Sequence, residues 1–391
     1  MSEMTRGGQI LVACAAAVAM GITLLVGLAR LAEGSAPPSH PVPPSFQIGV
    51  LADTDYNAPP GAGPEAFPAL MQELNNEQKL EFVVHLGDIW GAKSCTDEQH
   101  SDAPYDYVRE IFDQSVHPLV YTPGDNEWVD CAGDANLGPR QYQRDPLDAL
   151  AALRRAFHLS HGNQSLGVAS ARLTLERQSD DPSTPVDESQ YVENQRWSVT
   201  QGSYGTVVFA TLHVTGSADD CTRRDLQPDG SVVLVGSVTT SCSSEALDRR
   251  AANIAWLKST FAAATQMNAK GVMVFMQADP RYEAAATAPL RLPYNDYLRT
   301  LYRETLLFGK PVTLVHGDTH YFRLDQPFAV PYPAQDPFAD SFQVPANSVP
   351  GQLRRVPNFT RIETAGWPET GWTRITVDLN DPNVFVAEPG R

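Results

Sequence analysis

The chain is short of basic residues: 29 Lys and Arg stand against 46 Asp and Glu among 391 residues, a formal net charge of −17. It contains no Lys/Arg-rich run. A field of this sign repels phosphate backbones at range, so no nucleic-acid partner is expected, and any phosphate the protein handles needs a bound cation. Charged residues make up only 19% of the chain, but the apolar share is 42%, which is ordinary for a folded protein and too high for a disordered one.

Several chemical signatures are also missing. There is no GxSxG nucleophile elbow, and GNQSLG at 162–167 does not replace it, which removes that class of serine hydrolase. GAGPEA at 61–66 imitates a dinucleotide fingerprint, but prolines separate it from the preceding strand. DTDYN at 53–57 opens like an EF-hand loop whose sixth position would be Ala58 and whose twelfth would be Pro64, in place of Gly and Glu. Cysteine is scarce, with five in all and no close CxxC pair, so a zinc cluster lacks its ligand spacing.

At the N-terminus, Leu11 to Ala29 is an uncharged apolar stretch between Arg6 and Arg30, followed by the linker APPSHPVPPS. We expect a single hydrophobic helix within residues 1–36, serving as a membrane anchor or signal peptide. A Pro-rich linker follows at 37–45, then one domain at 46–391. Gly34, Ser35 and Ala36 before the prolines make a poor cleavage site, which favours the anchor and would make the membrane a partner of this segment. Either form places the domain in the cell envelope, outside the cytoplasm, anchored or secreted. In an exported chain, Cys95, Cys131, Cys221 and Cys242 read as two disulfides. Spacing alone does not settle the pairing. Cys221 and Cys242 bracket a Gly/Ser/Asp-rich insertion, while Cys95 and Cys131 each follow a candidate site loop, which favours Cys95 with Cys131 and Cys221 with Cys242.

Within the domain, five apolar runs each stop in a carboxylate: FQIGVLAD at Asp53, EFVVHLGD at Asp88, PLVYTPGD at Asp125, GVMVFMQAD at Asp279 and PVTLVHGD at Asp318. Between them lie helix candidates at Pro64–Gln78, Pro104–Ser115, Pro146–His158, Leu247–Gln266 and Leu292–Phe308. In the fourth, Leu247, Ile254, Leu257 and Phe261 are expected on one face. Strands buried on both faces with helical crossovers form parallel or mixed sheets, whose ligands bind beyond the C-terminal strand ends. Trp197–Gln201 with Gly205–His213, and Phe359–Thr364 with Trp372–Leu379, read as antiparallel hairpins. Gln326–Pro357, rich in Pro, reads as a long ordered loop.

A single strand-terminal Asp is usually a cap or turn former. Five on one sheet edge would repel each other and oppose ionisation, a conflict that a divalent cation resolves. Asp55 adds a carboxylate two residues after Asp53, and Gly precedes Asp88, Asp125 and Asp318, allowing the tight turn that brings each carboxylate to a ligand.

The stretches ADTDY, GDIW, GDNEW, MQADP and HGDTHYFR resemble, in order and spacing, the DxH, GDxx, GNHE, lone-His and GHxH motifs of the calcineurin-like metallophosphoesterase superfamily. The likeness runs from Phe46 to about Leu324. It implies an α/β fold, a four-layer αββα sandwich with two mixed β-sheets. It also implies a metal-dependent phosphoesterase acting on a phosphate mono- or diester of a small molecule or headgroup. One ion would be held by Asp53, Asp55, Asp88 and His320 and a second by Asp88, Asp125, Gln277 and Asp318, with Asp88 bridging; such a pair clamps a phosphoryl group and generates hydroxide near neutral pH. Asp55, Asp125, Gln277 and Asp318 stand where the family has other ligands, and oxygen donors favour Mn, Mg or Ca over Zn. Asn126 replaces the family's leaving-group His and can donate a hydrogen bond but no proton. His213 and His316 are therefore the candidate general acids, with hydrogen-bonded strand-end histidines as the other reading of each. Trp90 and Trp128 flank two motifs, as a substrate wall or as core packing. Arg140, Arg144 and Arg323 are candidates for contacting an anion. Weaker carboxylate-rich Lewis acidity leaves a second reading open, a catalytically inactive metal-binding module on the same fold.

Overall fold

The runs that end in carboxylates are strands, and their nearly continuous burial shows that both of their faces are covered. A computed structural model of the chain describes residues 43–54, 56, 66–91, 102–132, 144–180, 190–221, 224–226, 232–234, 242–284, 287–329, 356–369 and 371–389. The apolar segment Leu11–Ala29, most of the Pro-rich linker, Asp55, Cys95, Arg140 and nearly all of the Gln326–Pro357 loop lie outside them. Among the described residues no helix is long and apolar enough to cross a membrane.

The protein is α/β with two mixed sheets. The first contains β1 (Ser45–Leu51), β2 (Leu80–His85), β3 (Leu119–Tyr121), β13 (Thr373–Asp378) and β14 (Phe385–Pro389), in the order β14-β13-β1-β2-β3. Within it β1, β2 and β3 are parallel, and β13 runs antiparallel to β1. The second contains β4 (Glu176–Arg177), β5 (Gln195–Gln201), β6 (Gly205–Thr211), β9 (Gly271–Phe275), β10 (Val312–His316), β11 (Arg323–Asp325) and β12 (Phe359–Glu363), in the order β11-β12-β10-β9-β6-β5-β4. Here β6, β9, β10 and β12 are parallel. Strands β7 (Arg224–Leu226) and β8 (Val232–Leu234) form a separate antiparallel pair.

Alternate residues of each parallel strand enter different cores. Ile48, Val50, Phe82 and Ile375 of the first sheet share one cluster with Phe209, Phe275 and Val315 of the second. The opposite face of the first sheet, through Leu51, Val83 and Tyr121, packs with Phe67, Leu74, Phe112 and Leu150 of helices α1 (Ala66–Asn76), α2 (Ala103–Phe112) and α3 (Pro146–Leu153). The opposite face of the second sheet, through Val208, Val274 and Leu314, packs with Trp256, Phe261, Tyr297 and Leu301 of α4 (Ser244–Gln266) and α5 (Asn295–Phe308). The helix ends carry their sequence signals. Asp145 caps α3 by accepting from Leu147 and Asp148 N–H, with Pro in the first turn; Ser243 caps α4; and Gly309 ends α5 in the left-handed region.

Two sequence expectations differ from the fold. Phe359–Thr364 and Trp372–Leu379 do not pair: β12 lies parallel to β10 in the second sheet, and β13 joins β1 in the first. The residues between them cross from sheet to sheet. In α4, Leu247 is exposed, because the buried face is extended N-terminally by Arg249 and Asn253, both of which donate to the His213 carbonyl. Cys221 and Cys242 form a disulfide. Cys131 is disulfide-bonded as well, while Cys95, its expected partner, lies outside the described residues.

Candidate metal centre

The C-terminal ends of the parallel strands from both sheets meet. Thr122 Oγ1, just after β3, donates to Leu212 O, just after β6, at 3.3 Å, and Asp318 N–H, just after β10, donates to Asp53 Oδ2, just after β1, at 3.1 Å. Asp53, Asp88, Asp318 and His320 all hold left-handed backbone, with φ of 51°, 53°, 77° and 68°. Asp is among the few L-residues that tolerate this region, and it turns each strand end sharply towards its neighbours. The approach is close enough to require Gly124: a Cβ there would lie 2.1 Å from Asp88 Oδ1.

The side chains then interlock. Tyr56 OH donates to Asp88 Oδ2 at 2.5 Å and to Asp53 Oδ1 at 3.2 Å. Asn126 Nδ2 donates to Asp88 Oδ2 at 2.9 Å. Gln277 Nε2 reaches Asp125 Oδ1 at 3.3 Å and Asp318 Oδ1 at 3.4 Å, while its Oε1 accepts from Gly216 N–H at 2.5 Å. That acceptor bond fixes the amide, so Gln277 presents N–H rather than oxygen to the carboxylates. Asp279, the fifth strand-end carboxylate, donates its backbone N–H to Asp318 Oδ2 at 3.2 Å. His320 Nε2 lies 3.6 Å from Asp53 Oδ1. Behind the rim, His85 accepts Gly87 N–H on Nδ1 and therefore donates from Nε2 to Thr54 Oγ1, tying the first two site turns together.

Electrostatics follow from this crowding. Asp53, Asp88 and Asp125 are buried and Asp318 is half-buried. Burial pushes the Asp53 carboxyl up to about 7. Burial and then the charge of Asp125 raise both Asp88 and Asp318 well above the usual carboxylate range. The charged groups acting most strongly on them are other carboxylates, Asp53, Asp125, Glu127 and Asp279. Glu127, which sequence reasoning left without a role, is itself raised to about 7 by burial, and among the described residues its Oε2 has no hydrogen-bond partner. An orphaned carboxylate oxygen beside repelling carboxylates fits a hard cation in donor chemistry. Among the described residues, however, no group of three or more His, Cys, Asp or Glu side chains is already arranged to hold an ion. The Tyr56 hydroxyl and the Gln277 amide lie in the gaps.

Of the sequence-predicted residues, Asp53, Asp88, Asp125, Gln277, Asp318, His320 and Asn126 come together. His213 and His316 do not touch them. His213 is fully buried, with Nδ1 at 2.7 Å from Glu193 Oε1, its ring edge-on to Trp128 and its carbonyl held by Arg249. His316 bonds its Nδ1 to Gly317 O and is fully buried. Burial lowers both imidazoles, so both are neutral at pH 7. Trp90 and Trp128 are core residues, Trp90 donating to Asn126 O at 3.3 Å. The aromatic wall is built instead by Tyr56, stacked on Trp367 at 5.8 Å between centroids and edge-on to His320 at 5.1 Å. Arg144 is paired with Asp102, and Arg323 with Glu283 and Glu363.

Tyr56 and Glu127 stand inside the quoted motifs ADTDY and GDNEW, so a signal for them existed. Gly216 and Trp367 had none, because their contacts to the rim come from segments with no carboxylate motif. Comparison with known protein families and with curated proteins finds no match for this chain.

Proposed function

We propose that the protein is an exported or membrane-anchored metal-dependent phosphoesterase related to the calcineurin-like superfamily. Two mixed sheets with three apolar clusters are compatible with that family's four-layer sandwich. The observation that carries the reading is the convergence of Asp53, Asp88, Asp125 and Asp318 at one rim, with carboxylates as the strongest charged neighbours of Asp53, Asp88 and Asp318. Asp53, Asp88, Asp125, Asp318 and His320 would hold divalent cations, with Mn, Mg or Ca favoured by the oxygen donors. A cation there would supply Lewis-acid polarisation of a phosphoryl oxygen and activation of water.

The chain's own residues supply the rest. Asn126 donates to Asp88 now and has a second N–H for a phosphoryl oxygen. Neither His213 nor His316 contacts the rim, and His320, the imidazole that does, would be a metal ligand, so phosphate esters with good leaving groups, which depart without a general acid, are the favoured substrates. Arg281 supplies the anion contact: it follows Asp279, whose carboxylate accepts its N–H at 2.9 Å, and it makes no ion pair or side-chain hydrogen bond among the described residues. It lies within electrostatic reach of Tyr294, as do Asp318 and Asp125.

The purified protein with added manganese should hydrolyse an aryl phosphate, and Asp88→Asn should abolish this while the fold is retained by circular dichroism. Turnover that persists undiminished in Asp88→Asn would remove the rim from the chemistry. A second reading, a metal-binding module without turnover, draws support from the neutral donors that already pair the carboxylates. Its mark would be manganese-dependent melting with no mono- or diester hydrolysed.

A further inference from the structure

Tyr56 occupies the gap between two carboxylates that repel each other. Its hydroxyl is shared between Asp88 Oδ2 at 2.5 Å and Asp53 Oδ1 at 3.2 Å. Its ring is clamped between Trp367 and His320, and both clamps are tied to the same rim: Trp367 N–H donates to Asp53 O at 2.8 Å, and Gly366 N–H donates to His320 O at 3.2 Å. A phenol O–H offers one hydrogen and no net charge, so it bridges the pair without cancelling its repulsion. A divalent cation would take the same two oxygens and cancel the charge.

We infer that Tyr56 sets the metal affinity of the site: its hydroxyl and the cation compete for Asp53 Oδ1 and Asp88 Oδ2, so metal uptake expels the hydroxyl and lifts the ring from its stack on Trp367. This rests on the reading of the rim as a cation site. Removing the hydroxyl leaves the ion-free carboxylates less satisfied and the ion-bound ones unchanged, so affinity should rise.

The test is manganese binding to the full chain by calorimetry and equilibrium dialysis, with tryptophan emission followed in parallel. Tyr56→Phe should bind manganese about tenfold more tightly than wild type, the scale of one hydrogen bond to a charged group. Manganese should change the emission of the wild-type protein, and Trp367→Phe should lose most of that change. The emission arm does not depend on the folding of Tyr56→Phe. Equal or weaker binding by Tyr56→Phe, or manganese uptake with no emission change, overturns the competition while leaving the cation site standing. No uptake by the wild type overturns both.

Discussion

Gly216 offers the most direct check on the convergence of the strand ends. A Cβ at this position would lie 2.6 Å from Asp125 Oδ2 and 2.7 Å from Asp318 Oδ1. Ordinary carbon to oxygen contact is about 3.4 Å, so Gly216→Ala must push two carboxylates apart or retract its own backbone. Retraction is opposed because Gly216 N–H is bonded to Gln277 Oε1, and the next four residues are held in left-handed backbone with φ from 48° to 57°. Overpacking of this kind costs about 1–3 kcal/mol, and the variant should lose roughly that much stability in urea unfolding without metal. Manganese affinity should fall about tenfold or more as the carboxylates separate, since 1.4 kcal/mol is about a factor of ten. Gly371→Ala is the control: among the described residues its Cβ would meet only Glu369 O, at 3.8 Å, and its stability should stay within about 0.5 kcal/mol of wild type. If Gly216→Ala matches wild type in both assays, Asp125 and Asp318 do not meet over this glycine, and the site as described does not exist.

Two further outcomes are expected. Burial pushes the fully enclosed His158 imidazole down to about 3 from 6.5. The unfolded chain therefore takes up a proton below pH 6.5 that the folded chain refuses, and stability present above that pH is lost as pH falls. At pH 5 this amounts to about 2 kcal/mol, so the stability gap between wild type and His158→Gln should shrink by that amount between pH 7.5 and pH 5 in urea melts; an unchanged gap contradicts the burial of a neutral ring. Arg281→Ala should weaken binding of inorganic phosphate to the manganese-loaded protein about tenfold in equilibrium dialysis while leaving manganese uptake unchanged, and equal phosphate affinity would remove Arg281 from the anion site.

The strand ends were legible because buried parallel strands are nearly continuous apolar runs, and a carboxylate is a sharp interruption of such a run. Helices were legible from proline in the first turn, as at Pro146, whereas α4 begins behind its Ser243 cap at Ser244, three residues before the expected Leu247. Partner choice between strands was not. Phe359–Thr364 and Trp372–Leu379 show the same alternation whether they pair with each other or join separate sheets, and only their partners in the fold, β10 for the first and β1 for the second, reveal the crossing. The turn Ser217–Asp220 was equally hidden. None of its residues is glycine, and its left-handed course is imposed from outside by the buried Arg249–Asp219 ion pair at 2.5 Å and by the disulfide from Cys221 to the start of α4. The family resemblance alone placed Gln277 at the rim, and which end of its amide faces the carboxylates depends on Gly216 N–H, more than sixty residues away.

How the rim balances its charge decides whether it is kept for an ion, the premise that both proposed readings share. Tyr56 joins Asp53 to Asp88, Gln277 joins Asp125 to Asp318, and Asn126 adds a second donor to Asp88. Each of these donors is neutral, so together they satisfy hydrogen-bond geometry and leave the negative charge in place. Without a cation, that charge is removed by protons: a carboxyl raised to about 7, as at Asp53, contributes cohesion that is full below its ordinary value of 3.8 and lost as pH rises through about 7. A rim built only for packing would gain by exchanging one of these aspartates for asparagine, since the exchange removes repulsion and keeps an acceptor. A rim built for a divalent cation loses its ligand by the same exchange. The sign of the stability change in Asp88→Asn, measured with and without manganese at pH 8, therefore separates a charge cluster kept for an ion from one that merely fills the edge of two sheets.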